Sequence, residues 1–129
     1  MPITYAIDRT KGVIRTRCAG FVTLPEVIEH FDALAREPDP PRPLDVLLDL
    51  RSTTSLPTTE KLAAVGEKIM AIRGRIEFGV CAIVVGSDAL HATAMVFEVV
   101  TARAFRTSRI FRDLFEAVSW LEAEHQTRT

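Results

Sequence analysis

The residues with the clearest chemical potential are Ser87 and Asp88, with His91 four positions after the serine. A nucleophilic hydroxyl needs a base within hydrogen-bond reach and a third group to orient that base. Ser87 lacks the Gly-x-Ser-x-Gly elbow that would present it on a strained turn. Ser and Asp are also ordinary helix caps, and a histidine in the first turn is then unremarkable. A small hydrolase is therefore the most distant of the functional expectations.

A second group is the hydroxyl-rich run Arg51, Ser52, Thr53, Thr54 and Ser55. If it follows a parallel strand and precedes a helix, it lies where open α/β sheets bind ligands. Helix amino ends there offer free N–H groups and a partial positive charge. With Ser87 and Asp88 it would make a loop that binds a small anion or phosphate. The competing reading is helix capping alone, since no glycine-rich phosphate loop is present.

Other chemistries find little support. Cys18 and Cys81 belong to no Cys-x-x-Cys pair, and His30, His91 and His125 are scattered, so neither a metal site nor a cofactor is expected. Cys81 reads as an inert core thiol, while Cys18 is ambiguous. Arg103, Arg106, Arg109 and Arg112 recur every third residue, but the segment crosses a helix end, a turn and a strand. They read as solvated or ion-paired. Residues 1–50 carry six basic and eight acidic side chains, and residues 51–129 carry ten and nine. No nucleic acid partner is expected from that balance. No signal peptide or membrane span is read, and the expected location is cytoplasmic.

The elements that would position these residues follow from periodicity. Ile3–Asp8 and Val13–Ala19 alternate apolar and polar residues, as a hairpin of half-buried strands does. Thr23-Leu24-Pro25-Glu26 reads as a capping box with proline in the first turn, opening a helix with Leu24, Val27, Ile28, Phe31 and Leu34 inward. Residues 44–50 form a strand, followed by a loop over 51–54. A helix capped at Ser55 and ending near Gly74 comes next. Residues 79–86 are apolar throughout, the pattern of a central strand covered on both faces. Ser87 caps a helix from Ala89 to about Phe105. A short strand at Ser108–Phe111 and a helix opened by Asp113 complete the chain. The fold class is α/β: a mixed, mostly parallel sheet of about five strands in the order β-β-α-β-α-β-α-β-α. Residues 1–123 are read as one domain and 124–129 as a polar, frayed tail.

The third helix is apolar over more than one stripe. Met95, Val96, Phe97, Val99 and Val100 therefore have three possible covers: a neighbouring helix, a second copy in a homodimer, or an apolar ligand in a pocket.

This element order resembles the SpoIIAA-like family, small proteins of STAS or CRAL-TRIO-like fold related to anti-sigma-factor antagonists. The words VLLDL, GVCAIVVGSD and RIFRDLFEAVSWL carry the likeness, which spans nearly the whole chain. The most specific piece is Ile110-Phe111-Arg112-Asp113 with Glu116-Ala117 and Trp120-Leu121. The resemblance implies a non-enzymatic regulator that binds protein partners. It also implies a phosphoacceptor serine after the third strand, in the segment Asp49 to Ser55. That segment departs from the antagonist pattern Asp-Ser-[Ser/Thr]-Gly. Lipid-binding relatives of the fold imply the alternative, a carrier of a small apolar or lipid-like ligand.

Overall fold

The structure, a computed structural model, describes residues 2–127. Five strands form one sheet in the spatial order β1-β2-β3-β4-β5. They are β1 (Ile3–Asp8), β2 (Val13–Phe21), β3 (Leu44–Ser55), β4 (Phe78–Val84) and β5 (Ser108–Phe111). The helices are α1 (Leu24–Ala35), α2 (Thr59–Ala71), α3 (Asp88–Val100) and α4 (Leu114–Thr127). β1 pairs antiparallel with β2, and β2 through β5 run parallel. The expected side-by-side parallel pairing of segments 44–50 and 79–86 is present, with Leu47 opposite Ala82 and Leu48 opposite Ile83.

The hairpin turn has a local cause. The Gly12 N–H donates to the Asp8 carbonyl at 2.8 Å, and the Lys11 N–H donates to Asp8 Oδ1 at 3.0 Å. Gly12 takes φ +69°, a left-handed conformation that is unstrained only for a residue without Cβ.

Strand order then decides where the helices go. β2, β3, β4 and β5 are laid down in sequence order, so each crossover steps the same way across the sheet. Right-handed crossovers stepping one way put their helices on one face. Accordingly α1 packs on α2 and α2 on α3, while α4 packs alone against β3, β4 and β5 on the opposite face. The three-helix side holds the larger core, with Leu34, Val65, Ile69 and Ile83 buried. The α4 side holds Leu47, Val80, Val84, Ala117 and Leu121. β4 lies between the two cores, and all seven of its residues are buried.

Several expected boundaries are corrected. β3 does not end at Leu50 but continues through Ser55, so Arg51 to Ser55 are strand and not loop. The cause is tertiary. β2 runs on to Phe21 through two register irregularities and pairs with this extension. The Val22 N–H donates to the Ser55 carbonyl at 2.9 Å, and the Thr53 hydroxyl donates to the Cys18 carbonyl at 3.1 Å. α2 consequently opens after Thr58, not at Ser55, and Thr58 makes no side-chain cap bond. It also stops at Ala71, before Gly74.

α3 ends at Val100, not Phe105. The chain turns over Thr101–Phe105, and Phe105 folds under to meet Phe78 with ring centres 5.1 Å apart. The capping box of α1 is formed as expected: Thr23 N–H donates to Glu26 Oε1 at 3.0 Å and Glu26 N–H to Thr23 Oγ1 at 3.4 Å. The polar stretch from Glu124 is helical as far as Thr127, and residues 128–129 lie outside the described residues.

Candidate binding rim

Because β2 to β5 are parallel, their carboxyl ends meet at one edge, and all four helices begin there. That rim collects most of the residues singled out above. Gly86 passes so near β3 that a Cβ on it would stand 3.3 Å from the Arg51 carbonyl oxygen. The segments 51–55 and 86–88 are thus neighbours.

Their side chains are already engaged. Arg51 clasps Asp49 through Nε and Nη2, both at 2.9 Å, and the Arg51 backbone N–H donates to the same carboxylate at 3.1 Å. These hydrogen bonds hold the Asp49 carboxyl below its usual range, and the Arg17 charge adds to the effect. Arg17 Nη2 donates to the exposed Ser52 Oγ at 3.1 Å. Thr53 is buried, whereas Thr54 is exposed. Across the turn, Ser87 Oγ accepts from the Leu90 N–H at 3.2 Å and serves as the α3 cap. Arg112 donates to Asp88 at 2.5 Å and lowers that carboxyl's pKa. Asp113 opens α4 by accepting from the Glu116 N–H at 3.0 Å.

The rim is therefore a platform of paired charges beside the exposed Ser52 and Thr54 hydroxyls, not an open cradle of cations. Nor does it assemble a serine–histidine pair. His91 Nδ1 is buried with no hydrogen-bond partner, and the Ser87 oxygen is occupied by the helix backbone. Among the described residues, no group of three or more His, Cys, Asp or Glu is placed to hold a metal ion.

Two rim residues escaped the sequence reading. Phe21 is 68% exposed and Phe115 is 79% exposed. A signal for each was available. Phe21 falls at the end of the β2 positions Arg15, Arg17 and Ala19, which face solvent. Phe115 stands off the α4 stripe of Leu114, Ala117 and Leu121. Val118 and Glu122 follow it at helical spacing, and both line a groove of about 700 Å3 between α4 and the β1–β2 hairpin. Arg15 and Val13 form the opposite wall, and Lys11 pairs with Glu122 at 3.8 Å.

The five α3 residues are divided by the fold. Val100 packs against Gly66 of α2, where a Cβ would come within 2.5 Å of the Val100 carbonyl oxygen. Phe97 lines a cavity under the helix layer, and Val96 is half buried. Met95 and Val99, one turn apart, remain 53% and 75% exposed. Of the remaining candidates, Arg103, Arg106 and Arg109 are exposed, with the Arg109 guanidinium 5.3 Å from the Phe111 ring centre. Both cysteines are buried and unbridged, and burial raises their thiols, that of Cys18 to about 11.

No family model matches the chain, and no curated protein matches it. The architecture nevertheless has solved counterparts. It is the SpoIIAA-like fold. A crystal structure of an uncharacterized protein from the DUF3478 family with a SpoIIAA-like fold, from Shewanella loihica PV-4, superposes with a TM-score of 0.60. The two chains are 20% identical, and the match covers 92% of this chain and 93% of the other. No helix among the described residues is long and apolar enough to cross a membrane.

Proposed function

We propose that this chain is a non-enzymatic, STAS-like regulatory module of the cytoplasm that binds a protein partner at its rim. The observation that carries the reading is the placement of Phe21 and Phe115. Both are large and mostly exposed; Phe21 ends β2 opposite Ser55, and Phe115 lies in the first turn of α4, at the same rim as the Arg17–Ser52 and Asp49–Arg51 pairs. Exposed aromatics ringed by polar pairs are the anatomy of a contact surface, because interface cores are enriched in aromatic and arginine side chains. The SpoIIAA-like fold adds an analogy from shape alone.

A photo-crosslinking residue at position 21 or 115, with the same residue at exposed Glu67 as control, tests the reading. A discrete adduct from 21 and 115, absent from 67 and weakened by Arg17→Glu, supports it. Equal labelling from all three positions, or none, removes it.

The phosphoacceptor part of the reading rests on Ser52. Its hydroxyl is exposed and already within reach of a guanidinium, which would pair with an added phosphate. Phosphate mapping after kinase treatment should find Ser52 before buried Thr53. A chain that stays unmodified across 52–55 counts against the switch.

A second reading places another copy of the chain on α3, where Met95 and Val99 form the uncovered apolar pair. Sedimentation at micromolar concentration decides it: a monomer ends this reading, and a dimer lost in Val99→Glu supports it.

A further inference from the structure

We propose that the space between the sheet and the α1–α2–α3 layer is a binding site for a small apolar molecule of a few heavy atoms, taken up without burial of any charged or hydrogen-bonding head. This goes beyond the protein-binding rim and does not depend on it. The cavity measures about 80 Å3. Its walls are almost wholly apolar, with Phe31, Leu34, Val65, Ala94 and Phe97 set over Ile83.

Four side chains with a polar or thiol group border the space, Thr16, Cys18, His30 and Thr93. The Thr93 hydroxyl is committed to the Ala89 carbonyl at 3.2 Å. His30 is held between Tyr5 and Phe31, with ring centres 5.3 and 4.9 Å away, and burial lowers its pKa to about 4. Water needs two to four polar partners to stay in such a space, and these mostly apolar walls favour an apolar guest over it. Wall atoms facing an empty space forfeit dispersion contacts on that side, and an apolar guest restores them.

Size selects the class of guest. A cavity of about 150 Å3 lined by Leu, Ile and Phe holds benzene or xenon. Roughly half that room suits a xenon atom or a short alkyl molecule and is too little for a whole lipid chain. The lipid-like carrier expected from sequence is thereby narrowed to a small-molecule site. The rim side of the wall is only partly covered. Val27 and Thr93 in the first two turns of α1 and α3, and Leu56 just before α2, border the space, and all three are only half buried.

Methyl NMR of the full chain under rising xenon pressure tests the site. The expected result is a saturable shift of the Leu34, Val65 and Ile83 methyls, while exposed Val99 moves little and without saturation. Ala94→Leu, which grows a side chain into the space, should reduce the interior shifts at least tenfold. Val65→Ala, which enlarges the space, should strengthen xenon uptake and admit benzene, and it serves if Ala94→Leu does not fold. Interior shifts that rise linearly like those at the surface overturn the site. So do interior shifts that neither substitution alters.

Discussion

The two faces of the sheet are built to different standards. On one, three helices cover all of the parallel strands and bury Ile14, Leu34, Ile69 and Ile83 almost completely. On the other, α4 alone covers β3 to β5 and leaves the outer side of β1 and β2 to a groove with charged walls. Right-handed crossovers that all step the same way across the sheet force the first arrangement, since each then brings its helix back over the same face. Nothing forces the second, because α4 leads to no further strand. The face that connectivity must fill holds most of the buried core. The face that connectivity leaves free holds Arg15 and Arg17.

Substitutions can break that contrast, and the largest effect belongs to the three-helix side. Ile69→Ala, at a fully buried site on α2, should cost about 2–5 kcal/mol in urea unfolding. A cost under about 1 kcal/mol would mean that this layer is no tighter than the α4 side.

Acid should loosen the same side. His30 has an ordinary value of 6.5 when unfolded and about 4 when folded, because burial disfavours its charged form. The unfolded chain therefore binds the extra proton between those values, and stability falls as pH drops through that window. The loss attributable to His30 is about 3 kcal/mol at pH 4. His30→Phe, which keeps a ring between Tyr5 and Phe31, should flatten the stability curve between pH 6.5 and 4. An unchanged slope would show that the histidine is hydrated in the folded chain.

Gly66→Ala sharpens the contrast at one contact. The added methyl meets the Val100 backbone, not a flexible side-chain tip, so α2 and α3 must separate. Overpacking of this kind costs about 1–3 kcal/mol. Calorimetry of the variant should show the drop, whereas an unchanged midpoint would mean the helices slide apart freely.

The smallest stability effect is expected on the α4 face. Phe115→Ser removes a side chain that buries little, and should change stability by no more than about 0.5 kcal/mol. It should nonetheless abolish crosslinking through the rim. Stability loss without loss of crosslinking would reverse the assignment of the two faces.

Much of this was legible in the residues. The unbroken apolar run at 79–86 marks the central strand, because only a strand covered twice can afford no polar face. Thr23 and Glu26 mark a helix start through reciprocal hydrogen bonds made within four residues. The site was less legible. Ser52 to Ser55 look like a loop from their composition, yet they are strand because Phe21, far back in the chain, pairs with Ser55. Which arginine meets which carboxylate was equally hidden, since Arg112 and Asp88 are brought together only when β5 takes its place beside β4.

Sequence alone determined the order and type of the elements; the face on which three helices lie followed from the spatial order of the strands, which only the fold set. Tertiary structure decided the length of β3, the start of α2, the pairing of the rim charges and the cavity beneath the helices. The physical reason is range. Periodicity and capping are set by neighbours within a turn or two, whereas strand register, ion pairs and packing voids depend on residues that meet only after the chain has folded.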